Sequence, residues 1–293
     1  MGEGLETLLR DLRRGRPIRM LIAPAAFKLL GNLDKVLGFF RRLGVRSFHP
    51  VLPYADITLW AYFTLLKESG GLFVCSACAG LNLCLRERDP CCLAPVYSPL
   101  LCAARYLRTY RFLDGDFAFL SPCQLKEKEF VTPEGENLVR YNVTIRELAG
   151  FTAPGDPELS PCPALKPEQD DFCPGLTLAA SGSVGGALGA LLPGKKFVVK
   201  RGLAETVSWL RGQDSHSNTV LEAYACPGGC LYGSGTGQKS KAPAGTESPE
   251  PGGGQAAARQ RAEHTEALRR LFDRYTRELR FADFCYPSHL PTV

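Results

Sequence analysis

Residues 116–123 read Asp116-Phe117-Ala118-Phe119-Leu120-Ser121-Pro122-Cys123, an apolar run without polar alternation that ends in a proline turn and a cysteine. Such a run belongs to a strand covered on both faces, as in a parallel sheet. Two more runs also lead into cysteines. Leu72-Phe73-Val74 leads into Cys75-Ser76-Ala77-Cys78, and Thr219 to Ala225 leads into Cys226-Pro227-Gly228-Gly229-Cys230. Working outward, Arg19–Ala23, Val45–Phe48 and Gly71–Cys75 read as strands before the quoted one. Helical patterns over Phe27–Leu43, Asp56–Lys67 and Pro99–Arg108 separate them. Beyond a Pro-rich stretch, Gly185-Gly186 opens a short helix, Lys196–Lys200 is a strand, Leu203–Arg211 a helix, and Arg259–Arg280 a closing amphipathic helix.

This alternation predicts an α/β fold of two lobes with largely parallel sheets flanked by helices, the site lying in the cleft between them. The expected divisions are a first lobe over 1–150, a Pro-rich loop over 151–175 and a second lobe over 176–232. A flexible linker over 233–258 and a C-terminal helix and tail over 259–293 complete the chain.

Composition narrows the function. The chain has 293 residues, is 45% hydrophobic and 22% charged, and so has the means to bury a core. Its net charge of +5 is spread along the sequence and marks no nucleic-acid binder; the densest basic run is Arg10–Arg19. The longest mostly apolar run, about Ile57–Leu66, falls short of the ~20 residues of a membrane span. The N-terminus reads as no secretory leader, so a cytoplasmic location is expected.

Twelve cysteines in such a chain point to metal or redox use rather than a disulfide framework. In open α/β sheets ligands gather beyond the carboxyl ends of the strands. Cys78, Cys123, Cys226 and Cys230 are delivered there and would supply the four sulfurs of a cubane iron–sulfur cluster. The Cys226–Cys230 bend is glycine-rich, which lets backbone amides approach sulfur. Lys126 places a cation three residues after Cys123, and Glu129 is spaced to orient it if the segment is helical. Alone, a Lys-x-x-Glu spacing usually marks a solvated face, and most of the other cysteines suit small buried positions. Four-thiolate zinc sites come as close paired knuckles, which this spacing lacks.

At these residues the sequence resembles the H-cluster domain of FeFe-hydrogenases, as a divergent stand-alone member. Cys75-Ser76-Ala77-Cys78-Ala79 is a partial match to the family's Thr-Ser-Cys-Cys-Pro. Ser121-Pro122-Cys123 through Lys126 and Glu129 is similar to Met-Pro-Cys-x-x-Lys-x-x-Glu. Cys226 through Gly235 is similar to Cys-x-x-x-Cys-x-x-Gly-x-Gly, with Glu222 ahead of it. Ile22-Ala23-Pro24 resembles the family's strand ending in Ala-Pro, and Gly182 to Gly186 its glycine motif before a helix.

The resemblance implies that Cys78, Cys123, Cys226 and Cys230 hold a 4Fe–4S cluster. It implies that Cys230 bridges to a diiron subcluster carrying CO, cyanide and azadithiolate, and that Lys126 contacts a cyanide. Pro24, Glu129, Gly185 and Gly186 would line or support the site. Maturation proteins and an external electron carrier or signalling partner would be needed. The family's proton-relaying cysteine falls on Ala77, and a group without an ionisable proton cannot serve as a general acid. The methionines near the diiron site fall on Ser121 and Tyr224. The expected activity is hydrogen and proton redox chemistry, or low-turnover sensing of hydrogen or redox state. The other reading is a non-catalytic iron–sulfur scaffold related to the cytosolic iron–sulfur assembly branch, which shares Ser-Ala-Cys at this motif.

Overall fold

A computed structural model describes residues 3–88, 92–132, 135–149, 183–238 and 255–286. The Pro-rich loop 151–175 with Cys162 and Cys173, most of the linker 233–258, Cys91 and Gly182 lie outside these residues. Among the described residues seven strands form: β1 (Ile18–Ile22), β2 (Val45–Pro50), β3 (Phe73–Val74), β4 (Asp116–Ser121), β5 (Tyr141–Thr144), β6 (Lys196–Arg201) and β7 (Thr219–Tyr224). Every ladder between them is parallel, as the unalternated apolar runs require.

The chain divides into two compact units, each assembled from segments distant in sequence. The first comprises Met1–Tyr54, Pro99–Asp171 and Cys230–Lys239; the second comprises Ala55–Ser98, Phe172–Gly229 and Ser240–Val293. The mixed α/β architecture with helix-flanked parallel sheets is the one expected.

The first unit holds a four-stranded sheet in the order β2-β1-β4-β5. Ile18, Met20 and Ile22 of β1 join Ala118 and Leu120 of β4 and Tyr141 and Val143 of β5 in one core. Two helices cover that core with Leu5, Leu8 and Leu12 from Glu3–Arg13 and Val36, Leu37 and Phe40 from Leu33–Arg42. The N-terminal helix comes so close to β5 that a Cβ on Gly4 would stand 2.1 Å from the Asn142 carbonyl oxygen. Its register is tied by Tyr141, whose hydroxyl donates to Asp11 Oδ2 at 2.8 Å.

In the second unit the sheet order is β3-β7-β6. Val74, Leu81, Leu85, Cys92, Leu221 and Ala223 form a core on it. The helix Ala55–Glu68 buries Trp60, which meets Tyr275, Phe281 and Phe284 edge-on and donates from its indole nitrogen to Thr276 Oγ1 at 3.1 Å. An indole earns its place in a core when its N–H finds such a partner.

Several elements differ from the sequence reading. The expected helix Phe27–Leu43 is two helices, Pro24–Leu29 and Leu33–Arg42. Leu30 turns extended at φ −99°, ψ 98°, and Gly31-Asn32, both poor helix formers, follow it. The strand Gly71–Cys75 shortens to two residues and pairs with β7 in the second sheet. The helices Glu3–Arg13 and Ala79–Arg88 and strand β5 had no counterpart in the reading. The closing helix begins earlier, at Gln255. No helix among the described residues is long and apolar enough to cross a membrane.

Candidate iron–sulfur site

In the first unit the site is built where β4 ends. Ser121 is fully buried, and its hydroxyl accepts from the Cys123 amide (3.0 Å) and donates to the Cys123 carbonyl (2.9 Å). This local side-chain turn lifts the chain off the strand and leaves Cys123 extended, at φ −143°, ψ 127°, before a 3₁₀ turn over Gln124–Glu129. Asn142, on the neighbouring β5, clamps the turn by donating from Nδ2 to the carbonyls of Cys123 (3.1 Å) and Gln124 (3.2 Å).

From the far end of the sequence, Cys230 and the turn after it close on the same place. The Gly235 amide donates to the Pro122 carbonyl at 3.0 Å. A Cβ on Gly233 would lie 2.2 Å from that carbonyl oxygen, and one on Gly235 would lie 2.9 Å from the Cys123 nitrogen. Only glycine allows two backbones this approach. Between the two glycines, Ser234 accepts from the Gln124 amide at 3.1 Å and sets its hydroxyl 3.8 Å from Cys123 Sγ.

Lys126 and Glu129 do not form the solvated face that their spacing usually marks. Their side chains are 10% and 5% exposed, and Lys126 Nζ donates to Glu129 Oε1 at 2.7 Å. The 3₁₀ turn eclipses residues i and i+3, which brings the pair together. Burial works against the ammonium. The charge and hydrogen bond of Glu129, followed by the sulfurs of Cys230 and Cys123, more than offset it and hold the Lys126 pKa above the ordinary lysine value. Pro24 stands at the carboxyl end of adjacent β1, where it opens the helix Pro24–Leu29 at a position that needs no N–H donor.

The second unit holds the other two expected ligands. Beyond β3, Ser76 is held by its neighbours on three sides. Its amide donates to the Tyr62 hydroxyl (2.8 Å), its own hydroxyl reaches the Val96 carbonyl, and its carbonyl accepts from Asn82 Nδ2 at 2.6 Å. Ala77 and Cys78 follow this fixed point, half-buried. The Ala225 amide, next to Cys226, donates to Cys78 Sγ at 3.4 Å, so the segments carrying Cys78 and Cys226 adjoin. Cys75 differs from Cys78 in its surroundings. Its thiol is fully buried, and burial, then the charge of Glu222, push its pKa well above the ordinary value despite a hydrogen bond from Tyr62.

Glu222 ties β7 to the short helix Ser183–Leu188. It accepts from Ser183 N (3.2 Å), Ser183 Oγ (3.3 Å), Val184 N (2.8 Å) and the Tyr224 hydroxyl (3.2 Å). The two glycines of this motif are not equivalent. A Cβ on Gly185 would press Phe197 Cβ at 3.0 Å, whereas one on Gly186 would meet nothing within 4 Å.

Thus Cys123, Cys230, Lys126, Glu129 and Pro24 belong to the first unit, and Ala77, Cys78, Cys226, Gly185 and Gly186 to the second. Among the described residues no three His, Cys, Asp or Glu side chains form a group that could by itself hold a metal ion. The donor chemistry of the first unit nevertheless fits a sulfur-ligated iron group. It combines soft thiols, a buried cation beside them and a glycine cradle that a Cβ would fill. Asn142 and Ser234 escaped the sequence reading, since neither lies in a recognisable spacing with Cys123.

No family model matches the chain, and no curated protein matches it. Among solved structures the chain has a hydrogenase-like fold. An apo cysteine-to-histidine variant of FeFe-hydrogenase HydA1 from Chlamydomonas reinhardtii superimposes with a TM-score of 0.62 at 15% identity, over 97% of this chain and 98% of that one. A glutamate variant of the same enzyme gives 0.61 at the same identity and coverage. A further FeFe-hydrogenase structure, concerned with oxygen damage to the 2Fe subcluster of its H cluster, gives 0.55 at 16% identity, over 97% and 92% of the two chains.

Proposed function

We propose that this chain is a FeFe-hydrogenase-like iron–sulfur protein that binds a 4Fe–4S cluster through Cys78, Cys123, Cys226 and Cys230. The observation that carries the reading is the buried Lys126–Glu129 pair beside Cys123 and Cys230. A buried cation needs a compensating anion, and Glu129 with a thiolate-ligated cluster supplies more than one. The hydrogenase-like fold supports the same reading over nearly the whole chain.

A diiron subcluster would extend the proposal, with Cys230 as the residue that would hold it and Lys126 as the cation beside it. Bound there, such a group supplies the chemistry of hydrogen and protons. The chain's own contribution is to orient it and to keep a cation beside it. Ala77 offers no proton, and burial raises the Cys75 thiol well above its ordinary pKa, so it gives up its proton reluctantly. The reading is therefore a low-turnover protein that senses hydrogen or redox state and passes the signal to a partner. An electron carrier, maturation proteins and a cytoplasmic location belong to the same proposal.

Anaerobic protein produced with the maturation machinery tests it by iron analysis and infrared spectroscopy. The expected result is bound iron with CO and cyanide bands. About four irons with no diatomic bands would instead place the chain with the non-catalytic scaffolds, since a cubane alone holds four. Protein that takes up no iron would sink both.

A further inference from the structure

Ser234 is exposed, yet two independent constraints place its hydroxyl beside Cys123. The glycines on either side are pressed against Pro122 and Cys123 so closely that neither tolerates a Cβ. The Gly235 amide and the Pro122 carbonyl lock the two turns together at 3.0 Å. From the opposite side Asn142 holds the Cys123 and Gln124 carbonyls. Ser234 Oγ is thus delivered to a fixed position, where it accepts from the Gln124 amide at 3.1 Å. An oxygen engaged as an acceptor still has its own proton to give, and Cys123 Sγ lies 3.8 Å away.

We infer that Ser234 is a positioning and tuning residue of the iron–sulfur site, its hydroxyl donating to the Cys123 sulfur and making the bound cluster easier to reduce. The inference rests on Cys123 being a cluster ligand. A thiolate that ligates iron is a stronger acceptor than a thiol, so the contact strengthens when the cluster is bound. Reduction adds negative charge to the cluster and its sulfurs. A donor aimed at one of those sulfurs stabilises the reduced form more than the oxidised one, and hydrogen bonds to sulfur are among the determinants of cluster potential. The same hydroxyl couples the potential to the Gln124 amide, and through it to the 3₁₀ turn that carries Lys126.

The test uses the full chain, reconstituted anaerobically with ferrous iron and sulfide, and its Ser234→Ala and Ser234→Thr variants. The cluster is titrated against potential and followed by electron paramagnetic resonance, with iron content and thermal midpoint measured in parallel. Loss of a hydrogen bond to a charged sulfur shifts the reduction equilibrium toward the oxidised cluster by roughly tenfold, about 59 mV for one electron. Ser234→Ala should show this lower potential with wild-type iron content and thermal midpoint. Ser234→Thr, which keeps the hydroxyl, should stay close to wild type. Equal potentials in wild type and Ser234→Ala at equal iron content would overturn the inference while leaving the cluster assignment standing. Wild-type protein that binds no iron would overturn the cluster assignment first, and this inference with it.

Discussion

Lys126 Nζ donates to Glu129 Oε1 at 2.7 Å with both side chains nearly removed from solvent. Cleaving a buried pair on one side leaves a charge without compensation, which costs about 3–5 kcal/mol. Glu129→Ala should therefore lower the urea midpoint severely. Lys126→Met combined with Glu129→Leu should recover much of the loss, because two apolar groups replace the pair. If the single and double variants unfold together, the pair is not the stabilising unit.

The glycine turn offers a contrast between positions. Gly235→Ala forces a methyl group to 2.9 Å from the Cys123 nitrogen, and overpacking of this kind costs about 1–3 kcal/mol. Gly186 lies in a helix with open space around its missing Cβ, so Gly186→Ala should stabilise by about 0.5–1 kcal/mol. Calorimetric midpoints moving in the same direction for both would contradict this picture.

Removal of Glu222 tests the tie between β7 and the helix Ser183–Leu188. Glu222→Ala leaves two buried amides and two hydroxyls to find new partners, at about 1–3 kcal/mol for an unsatisfied group. Hydrogen exchange at Ser183 and Val184 should rise sharply, and unchanged protection there would show that another group caps the helix.

His49 predicts a pH dependence. Its Nε2 meets Ser47 Oγ at 2.8 Å, while Arg19 donates to that same oxygen at 2.9 Å. Either partner can supply the proton of the Ser47–His49 bond, according to the imidazole tautomer, and the neighbouring Arg19 guanidinium disfavours a charged ring. Burial, then Arg19 and Arg111, lower the His49 pKa from 6.5 to about 4. The unfolded chain thus binds the proton more readily, so this contribution is complete above pH 6.5 and is lost as the pH falls toward 4. His49→Gln should flatten that part of the stability profile; a profile that keeps its slope would assign it to other groups.

Cysteine replacement separates ligands from packing. Cys230→Ser should reduce bound iron well below the wild-type content and abolish any infrared bands of a diiron unit. Cys285→Ala, at a buried residue bridged to Val96, should cost packing alone and leave the iron in place. Equal iron in both proteins would contradict the ligand set. In fully loaded protein, Ala77→Cys should raise hydrogen turnover if the missing relay is what limits it.

Much of the fold was legible because its signals are local. Apolar runs without alternation marked β4 and β7 to within a residue, and Asp56–Lys67 lies within a helix over Ala55–Glu68. The N-terminal helix was legible in principle, since Leu5, Leu8, Leu9 and Leu12 keep helical spacing and all are buried. Strand β5 was not, for four residues carry too little periodicity to separate a strand from a loop. The partner of β3 was equally hidden, because two residues pair wherever their neighbours put them.

By itself the sequence determined that apolar segments would lie in parallel sheets and that cysteines would stand at the carboxyl ends of three strands. Both are read from residue order along a segment, whereas the choice of which strands pair is made by the tertiary structure. Only the tertiary structure decided that Lys126 and Glu129 are buried, that Gly235 presses on Cys123, and that Ser234 reaches a sulfur 111 residues away. Those relationships depend on which distant backbones come within a few ångströms of each other. Such distances are set by packing across segments, where the spacing of residues along the chain carries no information.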